Sequence, residues 1–353
     1  MSVSSSSTIS NPVPAERETG RLRRPTRAAG LVILLAVAAF VALLSLRFGS
    51  LTISTRDAWN GIFDYHADVY QQTIVRELRL PRTVIALCVG GALAVAGTVM
   101  QGVTRNPLAG PSILGVSQGA SLAVAVSVTY LGMRTPGQYI WMAFLGALGA
   151  SALVFAVGSA GKGGASPVKL ALAGVVISAL LSAWTSTLLL LNEDTLDTVR
   201  FWLAGSVAGR DLDILWTVSP FLIGGVVACI FLGHQLNVLS MGEDNARSLG
   251  MNTTRTRLIA SVFVILITGA AVSVAGPIGF VGLATPHIAR AVVGADYRWI
   301  LPYSFAIGAI LLTAADVAGR LVTRPAELQV GIITALVGAP FLVYLARSTR
   351  VAN

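Results

Sequence analysis

Catalytic and metal-binding chemistry has few candidate residues in this sequence of 353 residues. The three histidines, His66, His234 and His287, are scattered and lack the spacing of zinc ligands. Cys88 and Cys229 both fall in apolar stretches and are too few for a disulfide framework. The GxxxxGKS/T loop that cradles nucleotide phosphates does not occur. The sequence therefore predicts no catalytic residue, no metal site and no cofactor of the chain's own.

Arginines offer chemistry of another kind, the recognition of acidic groups. Arg79 and Arg82 are three residues apart, a spacing that can put both on one helical face. Arg320 lies four residues after Asp316, so these two can pair on one helix turn. Two interpretations are open. The arginines either anchor helix ends at a lipid interface or bind carboxylates of a partner protein.

Two further segments are patterned. Ser178, Ser182 and Ser186 recur every four residues and form a small polar stripe on one side of a helix. Such hydroxyls either bond back to their own helix or line a wet path. Residues 241–254, MGEDNARSLGMNTT, are polar with a small apolar set, and Gly250 can supply a helix C-terminus there. A solvated loop is the simplest interpretation of this second segment.

The apolar composition of the chain indicates that membrane-spanning elements hold these residues. The chain is 54% hydrophobic and 12% charged, with a mean hydropathy of +0.75, which is far from a soluble domain. About 20 helical residues cross a membrane. Candidate spans lie at 29–46, 83–104, 112–131, 138–158, 168–191, 215–232, 258–278, 281–294, 299–319 and 328–346. Their apolar runs are continuous, which favours helices over a β-barrel. The predicted fold class is all-α integral membrane with about ten transmembrane helices.

Charge predicts the orientation. With both termini in the cytoplasm, most of the 25 Lys and Arg residues and a minority of the 16 Asp and Glu residues lie inside, as the positive-inside rule requires. The net charge of +9 then reflects topology, and nucleic-acid binding is not expected. Residues 1–28 are predicted to form a disordered basic cytoplasmic tail. Residues 29–350 are predicted to form one polytopic domain that crosses the cell membrane several times.

A faint internal repeat accompanies these spans. Gly90–Pro107 aligns with Gly269–Pro286 and shares glycines, alanines and the final proline. The two segments run in opposite directions in the predicted topology, as inverted repeats of transporters do, although chance matching in so Gly-rich a chain is the alternative. Helix breaks are expected at Asn106, Pro107, Gly276, Pro277 and Pro286.

Several ordered motifs carry a resemblance to a known family. Residues 79–120, RLPRTVIALCVGGALAVAGTVMQGVTRNPLAGPSILGVSQGA, are followed by LALAGVVISALLSA and FWLAGSVAG. MGEDNARSLGMNTTRTR, GPIGFVGLATPHIAR, LLTAADVAGRL and AELQVGIITALVGAPFLVYL come next in the family's order. Over most of its length the chain therefore resembles the permease subunits of ABC importers for ferric siderophores, haem and cobalamin, the FecCD-type permeases of type II importers.

That resemblance implies a fold like the cobalamin-importer permease, with inverted-repeat character, and a translocation path formed in a dimer with an identical or paralogous subunit. Two partner ATPase subunits would bind ATP and Mg²⁺, so the chain itself is not expected to be an enzyme, and an extracytoplasmic binding protein would deliver the cargo. Ferric siderophore is the expected cargo, being the commonest in the family, with haem or cobalamin as alternatives.

Residue roles follow from the same resemblance. It favours docking of the binding protein at Arg79, Arg82 and Arg320 over helix anchoring. It places Ser178, Ser182 and Ser186 along the translocation path. It also implies that the cytoplasmic segment couples the permease to the ATPase, through Met241, Glu243, Asp244, Ala246, Arg247, Leu249 and Gly250.

Two other classes of function remain open from the sequence. An ion-coupled secondary transporter would also be polytopic and Gly-rich, but it would normally carry an ionisable residue at mid-membrane. Asp316, the best candidate for that residue, is predicted near a helix end. A membrane scaffold or receptor is the third class, and broken helices would have no purpose in it.

Overall fold

A computed structural model describes residues 24–160 and 167–350. Within these ranges the chain forms fifteen α-helices. They are α1 (Arg24–Arg47), α2 (Thr55–Phe63), α3 (Tyr70–Thr73), α4 (Leu80–Thr104), α5 (Val116–Leu131), α6 (Pro136–Ser159), α7 (Pro167–Leu191), α8 (Glu193–Leu203), α9 (Leu212–Phe231), α10 (Gly233–Ser240), α11 (Glu243–Ser248), α12 (Thr253–Ala275), α13 (Val281–Val293), α14 (Tyr297–Val322) and α15 (Val330–Arg350). A π-helical turn at Ile74–Arg79 joins α3 to α4, and a 3-10 turn at Pro111–Leu114 precedes α5.

The predicted fold class is confirmed. Seven helical stretches among the described residues are long and apolar enough to cross a membrane, and three shorter apolar helices accompany them. The shorter ones are α5, α13 and the Val330–Val343 part of α15. They coincide with the predicted spans at 112–131, 281–294 and 328–346, so each of the ten predicted spans corresponds to a helix.

Two helices begin before the predicted boundaries. Helix α1 begins at Arg24, before the predicted domain start at 29, and Pro25 in its first turn is compatible with a helix start. The rest of the predicted tail, residues 1–23, lies outside the described residues. The second span is helical from Tyr70 rather than from residue 83. Its first turns contain Gln72 and Arg76, which lowered the hydropathy on which the prediction depended.

Two of the predicted helix breaks coincide with helix ends. Helix α4 ends at Thr104. The side chain of Asn106 then accepts a hydrogen bond from the N–H of Leu108 at 2.9 Å, which forms a turn that contains Pro107. Helix α12 ends at Ala275, where Gly276 adopts a φ of +72°. Pro277 lies in the short connection to α13.

The predicted break at Pro286 was wrong, because this proline lies inside α13. A proline cannot donate a hydrogen bond to the carbonyl four residues earlier, here that of Gly282. The freed Gly282 carbonyl packs directly against Gly97 of α4. Contact with a neighbouring helix lets a membrane helix accommodate a proline, so the sequence signal for a break was overridden by packing.

Helix α4 is the centre of the bundle and contacts α1, α9, α12, α13 and α14. Its small residues permit this. A Cβ at Gly90 would overlap the carbonyl oxygen of Gly308 on α14, and one at Gly97 would overlap that of Gly282 on α13. In lipid, helices associate largely through such close van der Waals contact. Helices α1 and α7 instead bury little of their surface and lie at the periphery.

Replacing Gly97 by alanine should therefore destabilise the bundle. The new methyl group would overlap the Gly282 carbonyl, and overpacking of this kind costs about 1–3 kcal/mol. The midpoint of thermal unfolding in detergent, followed by tryptophan fluorescence, should fall. Gly149→Ala on α6 is the matched control, because a methyl group there meets open space and should be neutral or slightly stabilising. Equal midpoints for the two variants would contradict this account of α4.

Candidate functional site

Arg79 lies at the end of the π-helical turn, beside the C-terminal end of α1. Its guanidinium donates to the carbonyl oxygens of Leu46 at 2.8 Å and Arg47 at 2.7 Å, and also to that of Leu51. The last carbonyls of a helix have no partner within the helix and carry partial negative charge. Arg79 therefore caps α1 and ties it to the start of α4.

Arg320 on α14 binds the same end of α1. It donates from Nη1 to the carbonyl oxygens of Ser45 at 3.0 Å and Phe48 at 3.1 Å, and from Nη2 to the Ser45 hydroxyl at 2.6 Å. That hydroxyl also lies 2.7 Å from the hydroxyl of Thr83 on α4. The Arg320 side chain is only 2% exposed, so these groups supply its hydrogen-bond acceptors in place of bulk water.

Asp316 joins two of the arginines. Its carboxylate is 1% exposed and accepts from Arg82 Nη2 at 2.8 Å and from Arg320 Nη2 at 3.0 Å. The predicted pairing of Asp316 with Arg320 is confirmed. Arg82 also donates to Glu327 at 2.6 Å. Glu327 could not be predicted from the sequence, because it lies in the irregular segment between α14 and α15, where no periodic pattern indicates the position of a side chain.

The three predicted docking arginines thus meet at one end of the bundle, which we call the outer end, following the topology predicted above. They line a cavity of about 400 Å³ together with Arg210 and Glu327. Arg79 and Arg320 are buried and bonded to this chain, so they do anchor helix ends, although inside the bundle rather than at a lipid interface. Arg82, 12% exposed, is the least enclosed of the three. Their role in docking a partner stays a prediction.

The serine stripe of α7 spans different surroundings along its length. Ser178 and Ser182 are half-buried, whereas Ser186 is exposed. The Ser178 hydroxyl lies against Gly115 at the start of α5. The stripe is flanked by exposed apolar residues such as Val175 and Trp184. Within a single chain, therefore, the described residues leave Ser186 open, and the role of the stripe in a path stays a prediction.

The loop after α8 connects two helices at the outer end. The N–H of Ser206 donates to the carbonyl of Ala275, the last residue of α12, at 2.8 Å. The N–H of Gly331, at the start of α15, donates to the carbonyl of Gly205 at 3.0 Å. Gly205 has a φ of +75°, and a Cβ on it would crowd the carbonyl of Pro277. The loop after α8 therefore bridges α12 and α15.

The segment predicted to couple to an ATPase forms α11 and the turn after it, at the opposite, inner end. Ala246 is completely buried, whereas Met241 and Leu249 are 59% and 64% exposed. Gly250 has a φ of +79°, and its N–H donates to the carbonyl of Arg247 at 2.8 Å. The predicted helix C-terminus at Gly250 is thus confirmed. The segment presents apolar side chains on a polar surface.

Glu243 fixes this segment to the bundle. Its carboxylate accepts from Arg247 at 2.7 Å, within α11, and from Arg257 of α12 at 3.1 Å. The positive charge and hydrogen bond of Arg257 lower the pKa of Glu243, so the carboxylate is ionised at neutral pH. Asp244 is exposed in the first turn of α11, where a negative charge suits the helix dipole.

Comparison with known proteins gives consistent results. Residues 35–348 match the model of the FecCD transport family. The chain is 44% identical to the iron(3+)-hydroxamate import system permease protein FhuB of Bacillus subtilis, over 88% of this chain and 80% of the relative. It is also 44% identical to the ferric enterobactin transport system permease protein FepD of Escherichia coli, over 90% and 94%. A solved inward-facing structure assigned to the metal-chelate type of ABC transporters superposes with a TM-score of 0.79 at 30% identity, covering 91% of this chain and 99% of that one.

Removing the charge of Asp316 should destabilise the outer end strongly. In Asp316→Asn, Arg82 loses its buried partner and Arg320 its counter-ion, and breaking a buried pair costs about 3–5 kcal/mol. Glu327→Gln is the matched control, because Glu327 is 34% exposed and such a pair contributes about 0–1 kcal/mol. Thermal unfolding in detergent should show a much larger drop for Asp316→Asn. Similar drops would mean that the network is not centred on Asp316.

Proposed function

Because the chain belongs to the FecCD transport family, we propose that it is the permease subunit of an ABC importer that carries ferric siderophores across the cell membrane. The observation that carries the cargo assignment is the 44% identity, over almost the whole chain, to permeases named for iron–hydroxamate and ferric enterobactin. Both names describe iron held in an organic chelate. The chain's own contribution would be a path for a chelate already selected by a binding protein.

Energy would come from ATPase subunits bound at the inner end. Exposed Met241 and Leu249 suit a cleft in another protein, because exposed apolar side chains on a polar segment gain free energy when a partner covers them. Glu243 joins this segment to Arg257 on α12. A movement imposed on α11 would therefore pull on α12, whose far end leads into the break at Gly276.

A second permease subunit would complete the path. On α15, Ile332 and Leu336 are exposed, as are the small residues Ala335 and Ala339 on the same stretch. These four residues line a wide, open hollow that extends to Ala204. Small residues at helical spacing are the kind of surface on which membrane helices pack closely. With α7 and α15 facing a second copy or a paralogue, Ser186 would lie near the path between the two subunits.

Docking of the binding protein would use the outer cavity. Arg82 is the arginine best placed for this, because its second partner, Glu327, is partly exposed and can be exchanged for a carboxylate of another protein. Arg79 and Arg320 would act indirectly by holding α1 and α14 around the cavity.

Arg82→Gln should weaken docking without unfolding the permease. Asp316 keeps its ion pair with Arg320 in this variant, so no buried carboxylate is left unpaired. The Kd for the binding protein that co-purifies with the importer should rise roughly tenfold or more, as expected when one member of a close interfacial charge pair is removed. Binding would be measured by biolayer interferometry on the importer in nanodiscs.

Arg200→Gln provides the control for this experiment. Arg200 is a cation at the same end of the bundle, 55% exposed, and its contacts with Asp197 and the Phe201 ring lie within α8. Its loss should leave the Kd nearly unchanged. An unchanged Kd in Arg82→Gln would remove Arg82 from the docking surface.

Uptake of labelled iron would test the function as a whole. In cells lacking this chain, its return should restore uptake of ⁵⁵Fe given as a hydroxamate or catecholate siderophore. Leu249→Glu should abolish that uptake and prevent co-purification of the ATPase, because it puts a charge on the surface proposed to enter the ATPase. The variant should still reach the membrane in normal amount.

Leu196→Glu on α8 is the matched control, since Leu196 is also an exposed leucine, 41% exposed, but lies at the outer end. It should retain the ATPase. If wild-type chain restores uptake of haem but of no ferric siderophore, the cargo assignment is wrong. If it restores neither and no ATPase co-purifies, the importer assignment itself fails.

A further inference from the structure

An apolar cavity lies at the inner end of the bundle, between α4, α6, α7 and α12. Its volume is about 260 Å³, and apolar side chains form most of its wall, among them Met100, Val103, Ile113, Phe155, Leu170 and Leu258. The polar side chains of the wall are those of Thr104, Ser159, Thr254, Arg257 and Ser261, and they form its smaller part. Hydrocarbon is the occupant that such a lining favours.

Arg257 lines the same cavity, together with Thr254 one turn earlier in α12. One terminal nitrogen of Arg257 binds Glu243 at 3.1 Å. Its Nε, by contrast, is buried and has no hydrogen-bond partner among the described residues. A buried donor without an acceptor is unfavourable, because it has lost its hydrogen bond to water without gaining another. An anionic group entering this end of the cavity would supply the acceptor.

The surroundings of the cavity face lipid. Leu258 lines it and is 53% exposed, and Val262, one turn later on α12, is 45% exposed. Apolar residues so exposed at the inner end of a membrane helix lie against acyl chains. An occupant would therefore enter from the inner leaflet, where basic pockets between helices recruit anionic head groups.

We propose that this cavity binds an anionic phospholipid of the inner leaflet. A segment of one acyl chain fills the apolar part, and the phosphate accepts a hydrogen bond from Arg257. The volume is below the roughly 300–1,000 Å³ of sites for whole drug-sized ligands, so only part of one chain enters. This site is separate from the outer cavity, and it does not depend on which cargo the protein carries.

The proposed lipid would share an arginine with the coupling segment. Arg257 holds Glu243 of α11 on one side and would hold the phosphate on the other. The lipid would thus satisfy the remaining donor of the residue that attaches α11 to α12.

Native mass spectrometry of the full-length permease tests the proposal. The protein in mild detergent would be offered phosphatidylglycerol or phosphatidylcholine at equal concentration. Wild type should retain phosphatidylglycerol roughly tenfold more. Arg257→Gln should lose that preference. Arg255→Gln, which removes an exposed arginine two residues away on the same helix, should keep it.

Two further comparisons separate this site from indirect effects. Glu243→Gln breaks the ion pair but leaves Arg257 in place, so it should retain the preference; its loss there would mean that Arg257 acts only through α11. Leu170→Trp fills the cavity with Arg257 intact and should reduce retention of phosphatidylglycerol roughly tenfold. Leu172→Trp, on the exposed side of α7, should not, and it controls for folding.

Three outcomes would overturn the proposal. One is equal retention of the two lipids by wild type. A second is an unchanged preference in Arg257→Gln. The third is displacement of phosphatidylglycerol by millimolar inorganic phosphate, which would indicate a site for free anions rather than for a lipid.

Discussion

Inside a bilayer no water surrounds the helices, so the hydrophobic effect does not drive them together. The stability of this bundle therefore depends on how closely the backbones of neighbouring helices approach each other. Gly90 and Gly97 allow α4 to touch the carbonyls of α14 and α13 directly. Dispersion contacts weaken steeply with separation, and a single methyl group at either position would force the helices apart. The same closeness shelters the Gly282 carbonyl that Pro286 leaves without a donor, which is why α13 continues through a proline.

The most deeply buried charged residues among those described, Arg79, Arg210, Asp316 and Arg320, lie at the outer end. Asp316 bridges Arg82 and Arg320. Arg79 and Arg320 donate hydrogen bonds to the carbonyls at the end of α1 that have no partner within the helix. Helix α1 buries little of its surface, so these bonds attach it where packing contributes least. The first role of these bonds is to hold the helices together. If a partner protein also uses it, the partner adds a carboxylate to a network that already holds the helices in place.

The surfaces that remain exposed differ in chemistry, and that difference separates lipid from protein contacts. Large apolar residues along α1 suit acyl chains. The face of α15 combines small residues with an open hollow, and α11 sets two apolar side chains in a polar surface. The latter two arrangements suit other proteins. An importer assembled from separate membrane, ATPase and binding subunits requires surfaces of these kinds.

The sequence by itself determined that the chain is an all-α membrane protein with about ten spans, because the length of an apolar run and its hydropathy are local properties. It also determined the Asp316–Arg320 pair and the helix end at Gly250, since both depend on spacing within one or two turns. Only the tertiary structure decided that Arg82 pairs with Glu327, that Arg79 caps α1, and that Pro286 does not break α13. Each of these depends on groups brought together from distant parts of the chain, and no periodicity in the sequence records such a contact.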